Sequence, residues 1–152
     1  MAYSASEARQ EILDTLAEAT DELRFALACL AEAYDNLDAH NADRLEEELF
    51  RPVQAAYGRA QLSHAEFADR HGLPRRAFEQ QPAGVSPTGA TGFIQRAVEA
   101  INEADLVLTG LQDSMLPVEV GDPALRSGLA DVRDRVRGLP QRARDLLRTL
   151  GR

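Results

Sequence analysis

The sequence predicts an all-α protein, an antiparallel (up-down-up-down) four-helix bundle with left-handed heptad packing. Three observations carry this prediction. Apolar residues recur in alternating steps of four and three over three segments, with a looser stripe in a fourth. Aromatic residues are only 5% of the 152 residues and tryptophan is absent, so the core must be aliphatic. Glycine and proline gather in one long stretch between the second and third stripes. A chain of this size buries about 70% of its unfolded surface, enough for one self-sufficient core. Residues 1–152 are therefore expected to form a single domain, with helices at about 5–37, 42–71, 91–114 and 123–150.

The first helix is expected to start at Ser4, which has the capping-box spacing to Glu7. Its stripe runs Ile12, Leu16, Ala19, Leu23, Ala26, Leu30, Ala33 and Leu37. Large and small residues alternate along it, and the alanines permit close approach of a neighbour. Leu13, Leu27 and Tyr34 widen the face beyond a two-stranded seam, which suits a bundle interior.

The polar stretch "DAHNAD" (38–43) reads as a tight turn, with Asn41 as a helix-start residue. It holds no Gly or Pro, so one continuous helix is the alternative. The second helix carries Leu45, Leu49, Val53, Ala56, Ala60, His64 and Phe67. Pro52 lacks an amide hydrogen and clashes with the carbonyl four residues back, which predicts a kink or break near 49–51. Gly72 suits a C-terminal cap. Residues 72–90 have no period and hold three prolines and three glycines, a long connection of the kind that is often functional.

In the third helix Ile94, Ala97, Ile101, Ala104, Leu108, Leu111 and Met115 keep the three–four rhythm. The fourth opens with Asp122 as N-cap and Pro123 at the first helical position. It continues through Leu125, Leu129, Val132, Val136, Leu139, Ala143, Leu146 and Leu150, with a bend expected where Gly138 and Pro140 interrupt it.

Charge is unevenly spread over the net −8. Residues 1–50 hold thirteen acids and three arginines, whereas residues 123–152 hold three acids and eight arginines. In the simple topology the acidic first helix lies beside the basic fourth, and flanking ion pairs would set their orientation; the long 72–90 connection would permit a crossover instead. A rival use of the apolar seams is a homodimer, with residues 1–71 forming a hairpin that pairs with a second copy. The acidic total argues against nucleic acid, which demands basic surface. The longest apolar run, Phe25 to Ala31, is too short for a membrane, and no secretory signal is evident. These features suggest a cytoplasmic protein. The absence of lysine, with all seventeen basic residues arginine, suggests a GC-rich bacterial source.

Catalytic constellations are not found. No Glu-x-x-His pair supports a di-iron site, and no phosphate loop, dinucleotide fingerprint or Gly-x-Ser-x-Gly occurs. The single cysteine, Cys29, reads as a buried inert thiol. His64 reads as a core or boundary residue, His40 as a turn residue, and His71 lacks a third ligand for a metal. "SPTGATG" reads as a flexible helix entry. One docking element stands out: "LPRRAF" places Arg75 and Arg76 beside Phe78 in the long loop, where the arginine fork could hold a carboxylate or phosphate. The expected function is a non-enzymatic interaction or scaffolding protein without cofactor or metal, binding a protein partner or a second copy of itself. The alternative is a small-molecule-binding bundle with a pocket near the 72–90 loop, anchored by Arg75 or Arg76.

Overall fold

The computed structural model describes residues 4–151; residues 1–3 and 152, the ends of the expected domain, lie outside the described residues. The described chain is all-helical, with no strand. Helix α1 spans Ala5–Asp35, α2 Ala39–Leu45, and α3 Arg51–Arg70; a π-helical turn at Glu46–Phe50 joins α2 to α3. Helix α4 spans Ala90–Asp113, α5 Leu116–Val120, α6 Pro123–Val136 and α7 Leu139–Leu150. No described helix is long and apolar enough to cross a membrane.

The ends of these helices follow local chemistry. Ser4 Oγ accepts from the Glu7 amide at 3.1 Å. The first turn does form, but its cap is Asp38 rather than Asn41: Asp38 accepts from both the amide and the side chain of Asn41. Helix α1 accordingly ends at Asp35 and α2 starts at Ala39, three residues before the expected start. Gly72, at φ +66, closes α3 together with the bond from the Leu73 amide to the Ala68 carbonyl. Asp122 caps α6 as expected, with Leu125 N donating to Oδ1 at 2.9 Å.

The two internal prolines behave differently. Pro52 does not break the helix. The turn before it widens, the Arg51 amide reaching back five residues to the Glu46 carbonyl. The Glu48 carbonyl, which Pro52 cannot serve, accepts from Arg142 Nη1 at 3.3 Å. At the other site the chain turns through Gly138, at φ +82, and α7 restarts at Leu139. Met115 is a further correction. It leaves the stripe of α4, adopts φ +67 and is 54% exposed, and an unexpected helical turn, α5, follows it.

The four apolar stripes are otherwise buried, from Ile12 to Ala33, Leu45 to Phe67, Ile94 to Leu111 and Leu125 to Leu146. They belong to one continuous apolar cluster. Helix α1 packs against α4 and α3, while α6 packs against α3 and α4. This corrects the expected order. The acidic first helix makes no substantial contact with the basic α6 and α7.

Helices α1 and α3 run antiparallel, with Ala31 beside Phe50 and Arg24 over Tyr57, and so do the α3–α6 and α1–α4 pairs. Arg70 meets Asp122 and Arg59 meets Asp131 across α3 and α6. Glu11 shares a groove with Ser114, and Glu22 and Cys29 feel the charges of Glu103 and Arg96 farther along α1 and α4. Helices α3 and α4 therefore run the same way, so the connection between them travels back along the molecule and the simple up-down-up-down order is not followed. Arg76 on this connection reaches Asp21, and Gln80 reaches the level of Ala31 and Phe50. Residues 71–89 extended can reach about 60 Å, more than the roughly 48 Å of a helix over 39–70.

Candidate functional site

The three loop residues expected to bind a ligand are engaged within the chain. Arg75 Nε donates to Asp69 Oδ1 at 2.9 Å, and its Nη2 to Oδ2 of the same carboxylate. Arg76 Nη2 donates to Asp21 Oδ2 at 2.6 Å, and its guanidinium lies 5.3 Å from the Phe78 ring centre. Phe78 in turn stands edge-on to buried His64, with ring centres 5.2 Å apart. Arg76 and Phe78 thus come together over His64, while Arg75 turns back to the end of α3. Arg96 holds the far part of the segment through the carbonyls of Ala83 and Val85. The connection is a strap pinned to α1, α3 and α4. Burial, then the Arg76 charge, hold the His64 imidazole below the usual range, which favours the neutral ring.

His71 serves the fold. Its Nε2 lies 2.9 Å from Asp122 Oδ2, and its ring packs on Phe67. Arg70 grips the same carboxylate in bidentate fashion, at 3.0 Å from Nε and 2.9 Å from Nη2. Asp122 is only 6% exposed. Burial opposes its ionisation, yet the Leu125 amide, His71 and Arg70 outweigh burial and hold the carboxyl below its usual range. The sequence marks Asp122 as a cap, but its link to α3 requires residues some fifty positions apart to meet.

Cys29 is fully buried, and burial pushes its thiol up to about 11. No cluster of three or more potential metal ligands occurs among the described residues.

A groove of about 290 Å³ opens between the first half of α1 and the end of α4. Its floor is Val107, Gly110, Leu111 and Leu116, and Glu11 and Glu18 line its α1 side. Leu106 stands at its edge, 66% exposed. A Cβ added to Gly110 would meet nothing within 4 Å, so a neighbour can approach the α4 backbone there. Farther along, Glu22 crowds Glu103, Glu18 and Asp21; burial first and these acids second raise its carboxyl above the usual range. The sequence signal for this surface is Leu106, which lies off the Ala104–Leu108 stripe and so has no core position to fill.

No family model matches the chain, and neither the characterised proteins nor the solved structures compared with it include a similar one.

Proposed function

We propose that the chain is a non-enzymatic interaction protein, an antiparallel four-helix bundle with heptad core layers that docks a helix of a partner protein in the α1–α4 groove. The observation that carries this reading is the groove itself, an apolar floor with exposed Leu106 and a rim of acids. Such a surface fits an amphipathic helix that lays its apolar side on Leu106 and Gly110 and sets basic residues against Glu11 and Glu18. A second copy fits it less well, because a two-fold contact through this groove sets acids against acids. The arginines of α6 and α7 support a protein partner over a nucleic acid. Arg133, Arg135, Arg137 and Arg148 are paired with acids, which leaves only Arg126, Arg142 and Arg144 of the described arginines there without one.

The test is fluorescence anisotropy with a labelled amphipathic peptide of about 18 residues, long enough to hold a helix, bearing leucines on one face and arginines on the other. Binding is expected, weakened by salt and lost in Leu106→Asp and Gly110→Trp. Binding that ignores both substitutions would overturn the reading. Light scattering on the same samples reports self-association, and a dimer dissolved by Leu106→Asp would replace the partner with a second copy.

A further inference from the structure

A second surface lies on another side of α1 and is independent of that groove. Arg24 projects from the middle of α1, with its guanidinium carbon 5.3 Å from the ring centre of buried Tyr57. Its Nε is buried and has no hydrogen-bond partner, a state that Arg9 Nε shares. Among the described residues Arg24 also forms no ion pair, although Arg59, Arg70, Arg76 and Arg133 each hold a carboxylate. A buried N–H without an acceptor is costly and calls for an explanation. Among the described residues Arg9, Arg96, Arg126, Arg142 and Arg144 form no ion pair either, so it is the hollow beside Arg24, together with its missing partner, that marks the place.

The surroundings have the shape of a ligand site. Arg24 opens onto a hollow of about 170 Å³ whose apolar wall is Leu27, Ala28, Ala31 and Phe50. The carboxamides of Gln54 and Gln80 complete it, the latter carried by the strap. A cavity of about 150 Å³ is enough to hold a benzene ring. Beyond Phe50 the surface continues into a cleft lined by Asp35 and Glu46, which repels anions from that end. A ligand is thereby oriented with its negative group at Arg24, whose planar fork offers paired donors to a carboxylate.

We infer that this hollow binds a small carboxylate with a ring-sized apolar body, its carboxylate held by Arg24 and its body against Leu27, Ala31 and Phe50. The loop arginines Arg75 and Arg76, spent on Asp69 and Asp21, take no part.

Titration of the whole chain with benzoate tests this, with benzyl alcohol and benzylamine as controls, read by calorimetry and by the arginine Nε–H resonances in NMR. Benzoate is expected to bind and to shift the Arg24 Nε–H resonance, while both controls leave it in place. Arg24→Gln should weaken benzoate by about tenfold or more, the loss of a charge-assisted pair. Ala31→Leu, at an exposed position that tolerates bulk, should abolish binding by filling the hollow with Arg24 still present. Leu106→Asp should leave benzoate binding unchanged, which separates this site from the partner groove. Equal binding of benzyl alcohol, unchanged binding in Arg24→Gln, or no benzoate binding at millimolar concentration would each overturn the inference.

Discussion

Helices α1 and α4 pack antiparallel, as do α3 and α6, but different forces hold the two pairs. The α1–α4 contact is built mainly from alanine and leucine, and acids from both helices meet at its rim near Glu22 and Glu103. Glu22 on α1, crowded by Glu18 and Asp21 of its own helix, also feels the charge of Glu103 on α4, so this contact is held by apolar packing against local repulsion. The α3–α6 contact is pinned by polar clamps: Arg70 and His71 on Asp122 at one end, Arg59 on Asp131 farther along. Between the clamps Gly128 lies against Ser63, where a Cβ would stand 2.4 Å from the hydroxyl oxygen. A repulsive rim left beside a good apolar contact is a surface open to a basic partner. A rim already neutralised by arginine is not.

The sharpest way to break this contrast is Asp122→Ala. It removes a helix cap, a bidentate arginine pair and a histidine contact at once. We expect a loss of roughly 2–4 kcal/mol in urea unfolding. Asp122→Asn, which can still cap α6, should lose less. A parental midpoint for Asp122→Ala would show that the clamp adds nothing to the α3–α6 contact.

On the apolar side, Ala26→Leu overfills a fully buried alanine of α1. It should destabilise by roughly 1–3 kcal/mol, because a close helix contact leaves no room for the added carbons. If its thermal melt matches the parent, the close packing at Ala26 is wrong. Gly128→Ala is the corresponding test for α3–α6. The intrinsic helix gain of about 1 kcal/mol is expected to be more than cancelled by the clash with Ser63. The double change with Ser63→Ala should recover part of the loss, and a simple sum of the single effects would argue against the contact.

Acid should pull the two pairs in opposite directions. The Asp122 carboxyl lies below its usual 3.8 in the fold, so its stabilisation is present above 3.8 and is lost as pH falls through the folded value. The Glu22 carboxyl lies above its usual 4.5, so its ionised form weakens the fold and the penalty is relieved as pH falls toward 4.5. His64 lies below its usual 6.5, and stability held by its neutral ring declines as pH falls below 6.5. Chemical denaturation across pH should therefore show a loss beginning near 6.5 that His64→Gln removes. It should also show a steeper loss below 3.8 that Asp122→Asn removes. Glu22→Gln should raise stability at neutral pH.

The smallest expected effect belongs to Arg142→Met. Its bond to the Glu48 carbonyl is exposed and long, so the loss should stay below about 1 kcal/mol. A larger loss would mean that Arg142 is what carries the helix past Pro52.

Much of the secondary structure was legible in the residues. Ser4, Gly72, Asp122 and Pro123 mark helix ends because caps are local chemistry, decided within three or four residues. Buried stripes were legible because helical periodicity puts every third or fourth side chain on one face. The loop reading was legible only as a length. That Arg75 and Arg76 would be consumed by Asp69 and Asp21 could not be seen, because acids are plentiful throughout the chain and spacing does not select among them. The free Arg24 was hidden for the same reason: an unpaired arginine is defined by which acids fail to reach it.

The sequence by itself determined the helical class, the helix boundaries to within a few residues, and the faces turned inward. These depend on neighbours along the chain. Only the tertiary structure decided that α1 lies against α4 rather than the last helix, and that α3 and α4 run the same way. Leucine–alanine stripes are interchangeable as partners, and a connection as long as 71–89 allows either order. The strap, the Asp122 clamp and the Arg24 hollow all follow from that choice of neighbours. Each is assembled from side chains that meet only after the helices have taken their places.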